Sequence, residues 1–348
     1  MKPKVLIAAG GTGGHLIPAQ QLASLLQQNY ASDVLFAGHK LKCSPYFDRS
    51  RFAFLDVPSA PLSNPFHFCK QFLRGFIAAL ALLHKEKPIL VIGFGSYHTA
   101  PLLLAAALLR KKIVLYEANR IMGKVNRLIA PFAEAIAIQF PMQEQRSIVQ
   151  IASFPWICPE KPIKQEALKF YGLQESLPTV LIFGGSQGAA FFNQIMPDAL
   201  QDNQFQVIHL AGNETAAKEV EKRYRAHSIV ATVKGFEANM QWAYAAADVA
   251  ICRSGAGAIS ELIRYEVPAL LIPYPQSRDQ HQMENAKYLQ SLGVASVLTQ
   301  ETASIQQIRE RLFSLPLDAM RLAAIQQKEQ HRGQMQFDKL VARIGGFE

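Results

Sequence analysis

The chain has 348 residues, room for two cores at about 150 residues per domain. Its 49% hydrophobic and 18% charged composition, with 21 Gly and 19 Pro, excludes disordered, collagen-like and coiled-coil classes. A formal charge of +9 suits an anionic partner without choosing among nucleic acid, phosphorylated metabolite and anionic lipid, and the four cysteines form no CxxC pair, which suits a reducing compartment.

The chain opens with an apolar run at residues 5–9, too short for a signal-peptide core and read as a strand. Glycines follow at once, Gly10-Gly11-Thr12-Gly13-Gly14, and residues 16–28 then take a helical pattern. Further strands are expected at residues 34–37, 54–57, 89–92, 113–116 and 135–138. Residues 66–85 set aromatics and leucines among Lys70, Arg74 and Lys85. That pattern is either an interfacial amphipathic helix or an ordinary core helix, and the expectation is a buried face with an exposed Phe-rich start. Residues 88–109 hold no Asp, Glu, Lys or Arg and have the ~20-residue length of a membrane span, but Gly93, Gly95 and Pro101 divide them into a strand, a glycine loop and a helix. Three prolines within residues 154–162 mark an interdomain linker.

The second half repeats the grammar of the first. Residues 179–183 are another unalternated apolar run, followed by Gly184-Gly185-Ser186-Gln187-Gly188, and Gly184 lies 174 residues after Gly10. Such runs are strands buried on both faces of a parallel sheet. Strands are expected at residues 206–210, 229–232, 249–252, 269–272 and 295–298, and helices at 189–200, 214–226 and 281–289. This alternation predicts an α/β protein of two doubly wound, Rossmann-like domains: residues 1–155, residues 156–330, and a helical tail over 331–348 free to pack on either, the N-terminal domain included. Ligands of such sheets bind outside the carboxyl ends of the strands, so an interdomain cleft is expected.

The loops after the strands carry the chemistry. Glycines there let backbone N–H groups approach a phosphate at the positive end of a helix dipole, although tight turns alone are the plainer alternative. The dinucleotide fingerprint is absent, since Leu16 stands where its third glycine belongs, and no triphosphate-binding Gly-x-x-x-x-Gly-Lys-Ser/Thr occurs. After residues 249–252 comes Arg253-Ser254-Gly255-Ala256-Gly257-Ala258-Ile259-Ser260-Glu261. A carboxylate early in that helix accepts two ribose hydroxyls or simply complements the helix dipole. His281, Gln282 and Asn285 fall at i, i+1 and i+4 of a helix start and suit recognition of sugar hydroxyls.

These loops, taken in order with the 93–101 loop and Glu117-Ala118-Asn119, resemble the MurG family of peptidoglycan glycosyltransferases over nearly the whole chain. The resemblance implies a GT-B fold, with the donor bound mainly by the second domain and the acceptor by the first. It implies inverting transfer of N-acetylglucosamine from UDP-GlcNAc to undecaprenyl-diphosphate-linked N-acetylmuramoyl-pentapeptide (lipid I), giving lipid II. The enzyme would be peripheral, on the cytoplasmic face of an anionic bacterial membrane, with no metal or other cofactor and no nucleic-acid partner. Carried over by residue, Ser186, Gln187 and Gly188 hold donor phosphate, and Ala256, Gly257, Ala258, Ile259 and Ser260 lead to Glu261 on the ribose. Phe236 and Glu237 meet uracil through backbone groups, while His281, Gln282 and Asn285 read sugar hydroxyls. Thr12, Gly13, Gly14 and Asn119 complete the cleft, and His15 is the candidate general base, with orientation of its own loop as the alternative.

Three departures stand out: Ile157 where the family carries an arginine for the donor diphosphate, Tyr116 and Ala118 in place of His and Gln, and Ser96 in place of Gly. No Asp-x-Asp occurs, so glycine-loop N–H groups and helix dipoles are the expected stabilisers of the leaving diphosphate. A non-hydrolysing UDP-GlcNAc epimerase and another glycolipid glycosyltransferase share this architecture and are the alternatives.

Overall fold

Val5 and Ile7 of strand β1 (Lys4–Ala8) are buried in one hydrophobic cluster, while Leu6 and Ala8 are buried in another on the opposite face. The run lacks alternation because a central strand of a parallel sheet has no wet face. The computed structural model describes residues 2–59, 65–142, 149–153, 159–185, 190–201, 204–332 and 335–348. The expected sites at Ser186, Gln187 and Gly188, and Ile157 of the linker, lie outside the described residues.

The first unit comprises Met1–Ile157 and Gly333–Glu348. After β1 it runs through α1 (Gly13–Tyr30), β2 (Asp33–Gly38), β3 (Ala53–Asp56), α2 (Pro65–Glu86), β4 (Leu90–Gly93), α3 (Ala100–Leu108), β5 (Ile113–Glu117), α4 (Lys124–Ile129), β6 (Ala135–Ile138) and β7 (Val149–Ser153). The second unit, Cys158–Arg332, contains α5 (Lys164–Tyr171), β8 (Thr179–Phe183), α6 (Ala190–Ala199), β9 (Gln206–Leu210), α7 (Glu214–Ala226), β10 (Ala231–Lys234) and α8 (Met240–Ala246). It continues with β11 (Val249–Cys252), α9 (Ala256–Tyr265), β12 (Ala269–Leu271), α10 (His281–Ser291), β13 (Ala295–Val297), α11 (Ile305–Phe313) and α12 (Leu317–Arg332). The chain then rejoins the first unit with β14 (Met335–Gln336) and α13 (Phe337–Gly345).

The first sheet has the order β14-β7-β6-β5-β4-β1-β2-β3 and the second β10-β9-β8-β11-β12-β13, with parallel pairing throughout. In each, the chain's direction of progress across the sheet reverses beside the first strand, between β1 and β4 and between β8 and β11. Connections leaving those two strands go to opposite faces, which opens a crevice at their carboxyl ends, and both glycine loops leave the sheet there.

Residues 88–109 resolve into β4, a short 3-10 turn and α3, and among the described residues no helix is long and apolar enough to cross a membrane. Helix α2 buries Gly75, Ala79, Leu82 and Leu83 and exposes Phe66 (91%), Leu73 and Ile77 beside exposed Lys70 and Arg74. Strand β10 begins two residues later than expected because Ile229 is spent in the turn, its N–H donating to the carbonyl of Tyr224. Strands β7 and β14 were not expected, and β14 is a strand only because β7 offers it a ladder (Met335 beside Ala152, Gln336 beside Ser153). Helix α13 buries Phe337, Leu340 and Val341 in the same core as α1, and Phe337 stacks on Tyr116 with ring centroids 5.4 Å apart. Tyr116, the residue found in place of the family's histidine, is accordingly a core side chain, its hydroxyl donating to Gln139 Oε1 at 2.6 Å.

Candidate functional site

In the first unit, the turn after β1 needs a left-handed residue, and Gly11 (φ +92°) supplies it. Thr12 is then the N-cap of α1, its carbonyl accepting from the N–H groups of His15 (3.1 Å) and Leu16 (3.2 Å), while its side chain makes no cap bond. Thr12 and Gly14 are exposed and Gly13 is buried, so the loop presents backbone N–H groups and a hydroxyl at a helix N-terminus. His15 Nδ1 lies 2.7 Å from the carbonyl oxygen of Phe94, just beyond β4 across the switch point. A carbonyl only accepts, so Nδ1 carries a proton, and in the neutral imidazole the lone pair is then on Nε2, the tautomer a base requires.

Half-buried Asn119 is set by Glu117, whose buried carboxylate accepts from Asn119 N (3.1 Å), Asn119 Nδ2 (3.3 Å), Gly123 N (2.9 Å) and Asn126 Nδ2 (3.0 Å). That saturated acceptor shapes the whole β5–α4 connection.

In the second unit, α6 follows the glycine loop and is anchored from below. Asn193 Nδ2 donates to the carbonyl of Ala211 (3.1 Å), so its Oδ1 accepts from His209 Nε2 (3.0 Å), and His209 Nδ1 in turn accepts from the Tyr224 hydroxyl (2.9 Å). Burial pushes the fully enclosed His209 down to about 3, which keeps the relay neutral. Arg253, at the end of β11, donates to the carbonyls of Ile272 (3.0 Å) and Pro273 (3.2 Å) and to Gln300 Oε1 (2.6 Å). Its guanidinium also lies over the rings of Phe192 (4.9 Å), Tyr274 (5.4 Å) and Phe191 (5.6 Å). This buried cation is held by carbonyls, an amide and aromatic faces, and it ties α6 to the loops after β11 and β12.

Helix α9 starts at Ala256 with no side-chain cap. Ala256, Gly257 and Ala258 are partly open, whereas Ile259 and Ser260 are buried, the Ser260 hydroxyl donating to the carbonyl of Ala256 (2.9 Å). Glu261 keeps some solvent contact, yet its carboxyl sits deep enough that burial raises it to about 7, against the partial opposition of the Tyr244 hydroxyl donating at 2.8 Å. Phe236 and Glu237 face opposite ways: Phe236 is 77% exposed and Glu237 only 6%. Burial by itself raises Glu237, but the Lys234 ammonium, the Asn239 N–H and the Tyr171 hydroxyl outweigh it and hold the carboxyl below its ordinary range.

His281 opens α10 and is half-buried. Gln282 Oε1 accepts from Tyr274 N (2.9 Å), and the Gln282 carbonyl accepts from the Ser254 hydroxyl (2.7 Å). Asn285, expected to read sugar hydroxyls, is fully buried with Nδ2 donating to the Ser254 carbonyl (3.1 Å), because the first turn of α10 closes down on the loop after β11. Among the described residues no group of three or more His, Cys, Asp or Glu is placed to hold a metal ion.

Sequence reasoning passed over Glu117 as a site residue, along with Tyr244, His209 and Arg253. A histidine inside an apolar strand and a glutamate closing one were visible signals for His209 and Glu117. Nothing local distinguishes Tyr244 from an ordinary core aromatic.

Residues 5–138 match the glycosyltransferase family 28 N-terminal domain, and residues 179–344 match the family 28 C-terminal domain. The chain is 39% identical over 336 residues, 92% of its length and 89% of the relative's, to a UDP-N-acetylglucosamine–N-acetylmuramyl-(pentapeptide) pyrophosphoryl-undecaprenol N-acetylglucosamine transferase of Protochlamydia amoebophila. It is 33% identical to the protein of that name in Chlamydia trachomatis serovar L2, over 90% of each chain. Its fold is similar to the crystal structure of MurG from Acinetobacter baumannii, with a TM-score of 0.79 and 24% identity over 99% of both chains.

Proposed function

Because the chain belongs to glycosyltransferase family 28 and, within it, to the MurG transferases, we propose that it moves N-acetylglucosamine from UDP-N-acetylglucosamine to undecaprenyl-diphosphate-linked N-acetylmuramoyl-pentapeptide, with inversion, in the synthesis of peptidoglycan. The 39% identity over 92% of the chain carries this reading. Within the second unit, the N-termini of α6 and α9 receive the donor diphosphate, with Ser186, Gln187 and Gly188 in the loop before α6. Glu261 accepts the ribose hydroxyls, uracil lies against Phe236 and the backbone at Glu237, and Gln282 and His281 read the sugar, braced by Asn285.

The first unit supplies the acceptor side through Thr12, Gly13, Gly14 and Asn119, with His15 as base. In the step itself, the acceptor oxygen forms a bond to the anomeric carbon as the bond to the UDP oxygen breaks. His15 Nε2 takes the hydroxyl proton, and the leaving electron pair goes to the diphosphate, stabilised by the N–H groups of the glycine loop. The exposed Phe66, Leu73 and Ile77 of α2, flanked by Lys70 and Arg74, support peripheral contact with the anionic cytoplasmic face of the membrane.

The test is incubation with labelled UDP-N-acetylglucosamine and a lipid I analogue. Label entering the lipid is the expected result. Formation of an epimeric UDP-sugar without acceptor, or transfer to diacylglycerol instead, would overturn it.

A further inference from the structure

Phe236 is exposed between two buried residues, Gly235 and Glu237, and leaving its ring in water forgoes about 1.5–3 kcal/mol of burial. In the loop after β10, both neighbours of Phe236 are anchored. On one side a Cβ at Gly235 would lie 2.6 Å from Asn213 C and Glu214 N, so only glycine fits, and Gly235 N donates to Glu214 Oε1 (3.2 Å). On the other side, Glu237 Oε2 accepts from Lys234 Nζ (2.7 Å) and the Tyr171 hydroxyl (3.0 Å), and Oε1 accepts from Asn239 N (2.8 Å). Lys234 is itself fixed 5.0 Å above the rings of Phe170 and Tyr171, and Phe170 stacks on Trp242 of α8 at 5.0 Å. The clamp thus joins α5, β10 and α8.

We infer that Glu237 is a positioning residue for donor selection: its clamped carboxylate holds Phe236 and the backbone of residues 235–239 in the one shape that accepts the base of a uridine diphosphate. This rests on the reading that uracil lies against Phe236. Strand spacing of about 4.8 Å puts β10 two steps, about 10 Å, from β8, where the diphosphate-binding glycine loop leaves the sheet. A rigid loop offers a fixed set of N–H and C=O groups and a fixed aromatic face. A loosened one adapts to other bases, so losing the clamp costs affinity for the correct nucleotide and narrows the gap to the wrong ones.

The experiment uses the full chain and calorimetric titration with UDP, TDP, GDP and ADP, alongside steady-state kinetics. Glu237→Gln is expected to weaken UDP about tenfold and to raise the KM for the donor in step, leaving kcat within about threefold, as loss of uniform binding does. The preference for UDP over GDP and ADP narrows in the same variant, and Tyr171→Phe, which removes one donor and keeps the ring, falls between it and the parent. If both variants keep the parent's UDP affinity and preference, whatever happens to their melting temperatures, Glu237 is structural only and the inference is overturned. Phe236→Ala separates the two claims: unchanged UDP affinity in that variant means the base lies elsewhere, and the reading beneath the inference fails by itself.

Discussion

Glu261, placed on the ribose in the proposed donor site, makes the folded state less stable when its carboxyl is ionised. Its carboxyl titrates near 7 in the folded protein against an ordinary value of 4.5, because burial opposes the charge more strongly than the Tyr244 hydroxyl relieves it. At about 1.4 kcal/mol for each tenfold change in proton affinity, the ionised form costs the folded protein roughly 3 kcal/mol. The native state holds this proton more tightly than the unfolded chain. Stability from this group is therefore fully present below about 4.5 and is lost as pH rises through about 7.

Glu261→Gln removes the titration, so its melting temperature should gain on the parent's as pH rises. Between pH 5 and 8.5 the gap should widen by about 2.5 kcal/mol, which for a unit of this size is roughly 5 to 10 °C. The same variant should bind UDP about 10- to 100-fold more weakly at pH 8.5, having exchanged a charged acceptor for a neutral one, and differ less from the parent at pH 6, where the parent's carboxyl is itself mostly protonated. A donor site that gains stability as it loses affinity is the expected trade-off. A melting-temperature gap that is the same at pH 5 and pH 8.5 would refute the burial argument.

Three further outcomes follow from the same geometry. Glu117→Ala leaves Gly123 N without its carboxylate acceptor and takes one of two acceptors from Asn126 Nδ2, which keeps the Tyr116 carbonyl, so stability falls by about 2 kcal/mol in thermal denaturation and the acceptor KM rises as Asn119 loses its anchor. Lys70→Glu combined with Arg74→Glu reverses two exposed charges beside the apolar face of α2 and should cut flotation with anionic vesicles by about tenfold or more, at ~1 kcal/mol per basic residue, leaving neutral vesicles unaffected. Turnover should persist in EDTA, since no Asp-x-Asp is present and the proposed mechanism assigns the leaving diphosphate to helix N-termini; loss of activity in chelator, restored by magnesium, counts against that account.

Much of the architecture was legible along the chain because it depends on local rules. An apolar run without alternation has to be covered on both faces, and a glycine pair after it marks a turn at the strand's carboxyl end, so residues 5–14 and 179–185 announced two doubly wound sheets. Strand β14 escaped because a two-residue strand has no pattern of its own and exists only where β7 supplies partners.

What tertiary structure alone decided was the state of each polar side chain. Phe236 and Glu237 are adjacent in sequence and face opposite ways because Tyr171, 66 residues earlier, receives the carboxylate. Asn285 is buried because Ser254, 31 residues away, accepts its amide. Glu261 titrates near 7 because its surroundings remove water more effectively than the Tyr244 hydroxyl compensates. The type of a residue and its place on a helix follow from the chain. Its exposure and charge come from summed contacts with distant segments, and no local periodicity encodes those.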